Sequence, residues 1–207
     1  KIDELIVATT TNKEDDELVQ YCNKNNIPVF RGESNDVLDR FYQAAISFKQ
    51  KPKTIVRICC DNPLLTHKVV DFVINEFNNS GKDYFSNSNE EPDYLEDGFD
   101  VEVFTFKSLE IASEKALLPS DREHVCPYIK KNFSCGWKKS NSQYNYKLSV
   151  DTQNDFDAVE RIFSELRDIN DFGIEDVVSL LSKKKEILEI NSSSEINSGY
   201  KKSLEKD

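Results

Sequence analysis

Asp61 and Asp151 are the two residues of this 207-residue chain best placed by type and position to do chemistry. Each stands just past the end of a β-rich run: Thr54-Ile55-Val56-Arg57-Ile58-Cys59 in one case, Tyr146 to Val150 in the other. Ligands of open α/β sheets bind at that edge. Two carboxylates converging there suit an octahedral Mg²⁺, which keeps several waters and needs few protein ligands. Such an ion neutralises charge on phosphate oxygens during in-line displacement. Both aspartates also have a plainer reading. Asp61 can be a turn residue that satisfies local amides, and Asp151 can start or cap the following helix.

Other polar residues frame the same chemistry. Asp100 and Glu102 lie on the polar face of an alternating run, Phe99 to Phe106, where they can meet substrate hydroxyls or simply face water. Arg122 and His124 stand near an expected helix start. There Arg122 can clamp a carboxylate or phosphate, and His124 can donate a hydrogen bond. Arg31 and Gly32 end a short strand, and Gly32 leaves room for a base or ribose to approach the backbone. Arg57 sits inside an apolar run, where an unpaired charge is costly, so a carboxylate partner is expected. Cys59 and Cys60 have no histidine in sequence context and read as small buried hydrophobes rather than nucleophiles.

The elements that must position these residues alternate between short β-rich runs and helical periodicity, the pattern of a parallel or mixed sheet covered by helices. Strands are expected at Leu5–Ala8, Ile27–Phe30, Thr54–Cys59 (central), Asp83–Ser86, Phe99–Phe106 and Tyr146–Val150. Helices are expected at Lys13–Asn25, from a cap at Asn35 to Gln50, and at Thr66–Phe77, Lys107–Ala116, Arg122–Lys131, Asn154–Leu166 and Ile174–Lys184. From Asn191 the composition turns polar, so the reading is one domain over 1–190 and a polar tail over 191–207.

Composition narrows the function classes. Lys and Arg total 27 against 38 Asp and Glu, a net charge of −11, which disfavours a nucleic-acid binder. A small anionic nucleotide stays compatible if a divalent ion reverses the local field. No run approaches a membrane span. The five cysteines show no CxxC spacing, which fits reduced thiols in a cytoplasmic protein.

Six ordered stretches carry a family resemblance. They are Val7-Ala8-Thr9-Thr10; Phe30-Arg31-Gly32-Glu33 with Asp36 to Phe41; Val56-Arg57-Ile58 with Asp61-Asn62-Pro63-Leu64; Gly98 to Phe104; Arg122-Glu123-His124-Val125 with Pro127-Tyr128-Ile129; and Val150-Asp151-Thr152 with Asp155-Phe156. Together they resemble the bacterial cytidylyltransferase family of spore-coat and surface-polysaccharide synthesis, related to the acylneuraminate and ketodeoxyoctonate cytidylyltransferases. The resemblance implies a Rossmann-like three-layer nucleotide-diphospho-sugar transferase (GT-A type) α/β fold with a mixed, mostly parallel sheet. It implies transfer from CTP to a sugar acid or related surface-glycan precursor, with Mg²⁺ and release of pyrophosphate, and a homodimer is common among such proteins. It makes Thr9, Arg31 and Gly32 nucleotide-binding candidates. Asp61 and Asp151 become catalytic metal ligands, and Asp100, Glu102, Arg122 and His124 substrate contacts.

The family's amino-terminal strand and basic Gly/Ser phosphate loop have no counterpart here. The chain therefore reads as amino-terminally truncated and is expected to be inactive as such a fragment. Cys59-Cys60 also replaces the small residues usual before that aspartate. Two other readings compete: a glycosyltransferase on the same fold, for which the D-x-D motif is missing, and a non-catalytic nucleotide-binding module.

Overall fold

The computed structural model describes residues 1–88, 97–138, 146–169, 171–194, 203–205 and 207. Strands β3 (Thr54–Arg57), β4 (Tyr84–Ser86), β5 (Glu102–Thr105) and β6 (Cys135–Trp137) hydrogen-bond in the order β3-β5-β4-β6. The run expected to be central, β3, therefore ends this order and is partly exposed, while β5 lies between two neighbours with Glu102, Val103 and Phe104 all buried. The alternation in β5 suggested a wetted face. An ion pair reverses that: Arg57 meets Glu102, and the Tyr84 hydroxyl donates to the other Glu102 oxygen at 2.7 Å. A buried carboxylate so paired can line a sheet interior. Tyr84→Phe should lower stability by about 2 kcal/mol by deleting a charge-assisted bond. Urea unfolding measures this, and a change below about 0.5 kcal/mol would make that bond irrelevant to the fold.

The chain divides into two compact units. The first comprises Lys1–Ile55, Phe104–Cys135 and Asn197–Asp207. In it β1 (Val7–Thr10) and β2 (Val29–Gly32) pair in parallel, Val7 opposite Val29 and Thr10 opposite Gly32, joined by α1 (Asp16–Lys24). β1 starts later than the apolar run suggests. Leu5 is exposed, and Thr9 and Thr10, beyond the expected run, extend the strand as β-branched residues do. Helix α2 (Val37–Ile46) is capped by Asp36 rather than Asn35: the Asp39 N–H donates to Asp36 Oδ1 at 2.9 Å. After α4 (Phe106–Lys115), the single helix expected over 122–131 is two, α5 (Pro119–His124) and α6 (Pro127–Asn132). Pro127 cannot continue a helix from α5. Val125 turns instead at φ 68°, ψ −56°, with the Cys126 N–H on the His124 carbonyl at 2.7 Å, a γ-turn.

The second unit, Val56–Val103 and Gly136–Ile196, holds the larger core. Helix α3 (His67–Ser80) repeats Val69, Val70, Val73, Ile74 and Phe77 at helical spacing, buries that stripe and stops at Gly81 in the left-handed conformation. Helix α7 (Gln153–Leu166) begins with a Thr152/Asp155 capping box and buries Ala158, Val159, Ile162 and Leu166. Helices α8 (Ile174–Lys183) and α9 (Glu186–Ile190) complete it, the second of them unforeseen. Tyr146–Val150 is not the expected strand; only Lys147 forms a bridge, parallel to Asp97. Its amides go to two different loops, Leu148 N–H to the Asp97 carbonyl at 3.0 Å and Val150 N–H to the Asp61 carbonyl at 2.8 Å.

The polar tail expected from residue 191 begins at a buried residue. Asn191 is buried, and its side chain donates to the Lys147 carbonyl and to Asp155 Oδ1, both at 3.0 Å. Ser203 is buried as well, and the Asp207 carboxylate accepts from the Ser120 amide at 2.9 Å and hydroxyl at 2.6 Å. Residues 195–202 and 206 of the expected tail lie outside the described residues.

Candidate active site

The loop after β3 carries Asp61, and the segment before α7 carries Asp151. The Val150 N–H to Asp61 C=O bond ties these stretches together one residue from Asp151. Burial, and then the Asp151 charge, push the Asp61 carboxyl above its ordinary range. Asp151 does not cap the helix, a task taken by Thr152. Beside Asp61 opens a concavity of about 380 Å³ lined by Cys60, Pro63, Val150 and the Phe156, Val159, Glu160, Phe163 face of α7. Burial pushes the Cys59 thiol up to about 11.

The most connected group at this site is one the sequence did not single out. The Lys147 ammonium donates to the Ser149 carbonyl and hydroxyl, both at 3.0 Å, to Asp151 Oδ2 at 2.8 Å and to Asp155 Oδ2 at 3.3 Å. Burial opposes its charge, but the Asp151 and Asp155 carboxylates outweigh burial and raise its pKa. Asp155 was legible as part of a helix start, whereas Lys147 lies on an irregular segment whose bonding partners no periodicity reveals. Asp97, also unforeseen, accepts from the Ser149 hydroxyl at 2.5 Å. Gly98 after it has φ +102°, and a Cβ there would lie 2.6 Å from the Leu148 carbonyl carbon, so the backbones meet where only glycine fits.

Asp100 is pushed up to about 7 by burial and by the charge of Asp97, against a hydrogen bond from Ser88. The folded state therefore holds a proton that the unfolded chain releases near pH 4. Stability contributed by this group falls as pH rises from about 4 to about 7. Asp100→Asn should remove that decline and gain about 2 kcal/mol at pH 8, read as thermal melts against pH. A parallel pH profile for both proteins would contradict it.

The other expected residues, Glu102 excepted, lie in the first unit. Thr9 stands opposite Arg31 in the β1–β2 register. Its hydroxyl donates to Asp15 Oδ2 at 2.7 Å, while Arg31 reaches the Thr10 and Asn12 carbonyls and Asp16, at 2.8, 2.7 and 2.7 Å. A Cβ on Gly32 would meet Phe30 at 2.9 Å and Arg40 at 3.1 Å, so side chains already fill that space. Arg122, expected to clamp a substrate anion, holds Asp36 at 2.6 Å and the Ser113 and Ala116 carbonyls at 3.1 Å. His124 Nε2 lies 2.8 Å from the Ser203 hydroxyl, which donates to Glu123 at 2.9 Å. Both oxygens of Glu102 have protein partners, as described above.

The donor set fits a hard divalent cation. It offers carboxylate oxygens from two chain segments, mutually repelling, at a solvent-reached loop. No cluster of three or more His, Cys, Asp or Glu able to hold a metal occurs among the described residues, and Mg²⁺ does not require one.

A model of the cytidylyltransferase family matches residues 1–198. The chain belongs to that family. It is similar to an uncharacterized protein of Methanocaldococcus jannaschii, 36% identical over 201 residues, covering 93% of this chain and 78% of that protein. It is 27% identical over 188 residues to the spore coat polysaccharide biosynthesis protein SpsF of Bacillus subtilis, covering 87% of this chain and 75% of SpsF. Among solved structures it resembles a cytidylyltransferase from Leptospira borgpetersenii, with TM-score 0.80 and 27% identity over 88% of this chain and 77% of that one. This cytidylyltransferase is thus a nucleotidyltransferase with the expected Rossmann-like α/β fold. No helix among its described residues is long and apolar enough to cross a membrane.

Proposed function

We propose that this cytidylyltransferase transfers a cytidylyl group from CTP to a sugar acid or related surface-glycan precursor and releases pyrophosphate. The family match supports the reaction type, and the likeness to SpsF, a spore coat polysaccharide biosynthesis protein, supports a polysaccharide precursor as acceptor. The observation that carries the reading is the Val150–Asp61 backbone bond, which ties the loop bearing Asp61 to the chain one residue before Asp151. Asp61 and Asp151 would hold Mg²⁺, which when bound supplies counter-charge to phosphate oxygens.

The chain's own groups do the rest. Lys147 and the Thr152 cap hold the Asp151 segment still. Asp100, close to half-protonated near pH 7, can accept from or donate to an acceptor hydroxyl, and Glu102 stiffens the strand behind it. Thr9, Arg31 and Gly32 are the proposed nucleotide contacts of the first unit, and Arg122 and His124 its proposed acceptor contacts. No protein nucleophile is needed, because the acceptor hydroxyl attacks the α-phosphorus and pyrophosphate leaves.

The test is pyrophosphate release measured with CTP, UTP, ATP and GTP, each paired with sugar acids and with sugar 1-phosphates. Release from CTP with a sugar acid is expected. Turnover confined to another nucleotide, or to sugar 1-phosphates, overturns the substrate assignment.

A further inference from the structure

The Lys147 ammonium has two carboxylate partners of opposite character. Asp155 is fully buried and saturated: Oδ2 accepts from the Thr152 amide and hydroxyl, both at 2.9 Å, and from the Asp151 amide at 3.2 Å, while Oδ1 accepts from Asn191 at 3.0 Å. It cannot leave. Asp151 keeps 47% of its side chain exposed, and Lys147, itself 6% exposed, reaches only its Oδ2. The ammonium therefore has a permanent anchor, in Asp155 and Ser149, and a detachable one in Asp151.

A buried cation with a fixed and a releasable partner has a specific use beside a pair of repelling carboxylates. The segments of Asp61 and Asp151 are joined by a backbone bond, and the Asp151 charge works against ionised Asp61 unless something supplies positive charge. With the ion in place, an ammonium still bound to the same carboxylate repels it. We propose that Lys147 is the built-in counter-ion of the divalent-cation site, holding Asp151 while the site is empty and withdrawing onto Asp155 and Ser149 when the ion binds. This rests on the assignment of Asp61 and Asp151 as the cation's ligands. Lys147 is thus a positioning residue that sets the affinity of the site by competing for it, and it keeps the empty site from springing apart.

The experiment is Mn²⁺ binding to the protein alone, by calorimetry and by the electron paramagnetic signal of free Mn²⁺ at low ionic strength. Lys147→Gln should bind Mn²⁺ about tenfold more tightly than wild type, because a like charge has been removed from the site. Lys147→Arg, which keeps the charge, should stay close to wild type. A merely structural lysine predicts the reverse, since a loosened Asp151 binds less well. Unchanged or weaker binding by a folded Lys147→Gln overturns the proposal.

Should that variant fail to fold, wild type decides. The Lys147 ammonium resonance in ¹⁵N-labelled protein should shift on saturation with Mg²⁺, and a resonance that stays put overturns the idea. Asp61→Asn separates the two layers. If wild type binds no Mn²⁺, or Asp61→Asn binds as wild type does, the ligand assignment itself falls and this inference with it. If Asp61→Asn loses the ion while Lys147→Gln matches wild type, only the counter-ion role falls.

Discussion

Asp155→Ala should destabilise the protein by about 3–5 kcal/mol, because it strands a buried lysine. Donor groups of Lys147, Thr152 (amide and hydroxyl), Asp151, Asn191 and Ser194 converge on this carboxylate. Alanine leaves the Thr152 and Asp151 amides without this acceptor and Asn191 with only the Lys147 carbonyl, and of the two carboxylates on Lys147 only the half-exposed Asp151 remains beside Ser149. The capping box of α7 is lost at the same time. Urea unfolding followed by circular dichroism gives the number. Burial opposes the Asp155 charge, but hydrogen bonds from Asn191, Thr152 and Ser194 prevail and hold its pKa far below the ordinary range. A depressed folded pKa gives stability that is present above the unfolded value of about 4 and is lost as pH falls toward the folded one. The gap between wild type and Asp155→Ala should therefore be full at pH 7 and narrow below about pH 4. A loss under 1 kcal/mol at pH 7 would mean that Lys147 finds other partners at little cost.

Asp61→Asn should lower nucleotidyl transfer about a thousandfold while leaving the fold as stable as before or slightly more so. The two effects have opposite signs for one reason. Burial and the Asp151 charge work against the ionised Asp61, which is what a carboxylate kept for a cation rather than for stability would show. Asparagine removes the repulsion and with it a ligand oxygen of the required charge. Pyrophosphate release and a thermal melt on the same preparation test both halves. Turnover within tenfold of wild type removes Asp61 from the chemistry, and a drop of several degrees in melting temperature returns it to the turn residue that its place after β3 also allows.

Arg57 and Glu102 show how far residue types alone carry an argument. A guanidinium inside an apolar run demands a carboxylate, and one was found. Which carboxylate was not legible, because the partner lies 45 residues away on a strand whose alternation looked half-wetted. The same limit applies to Arg122. Its type suited an anion clamp, and the anion it meets is Asp36, 86 residues distant, whose other oxygen caps α2. Local signals fared better where spacing was read: the helices expected at Thr66–Phe77 and Asn154–Leu166 recur as α3 and α7, whereas Pro127 splits the helix expected over 122–131. Strand ends fared worst. β1 shifts by two residues, and Tyr146–Val150 dissolves into amides shared between two loops, because strand pairing is a property of partners rather than of a segment.

By itself the sequence determined an acidic α/β chain of the cytidylyltransferase family, with Asp61 and Asp151 each following a β-rich run. Period, composition and ordered motifs suffice for that, since each is written along the chain. Only the tertiary structure decided that the Asp61 and Asp151 loops are joined by a backbone bond, that Glu102 is turned inward, and that Lys147 sits between Asp151 and Asp155. Those facts depend on Coulomb forces and hydrogen bonds between groups far apart in sequence. Such interactions act over a few ångströms of space, and folding sets those distances.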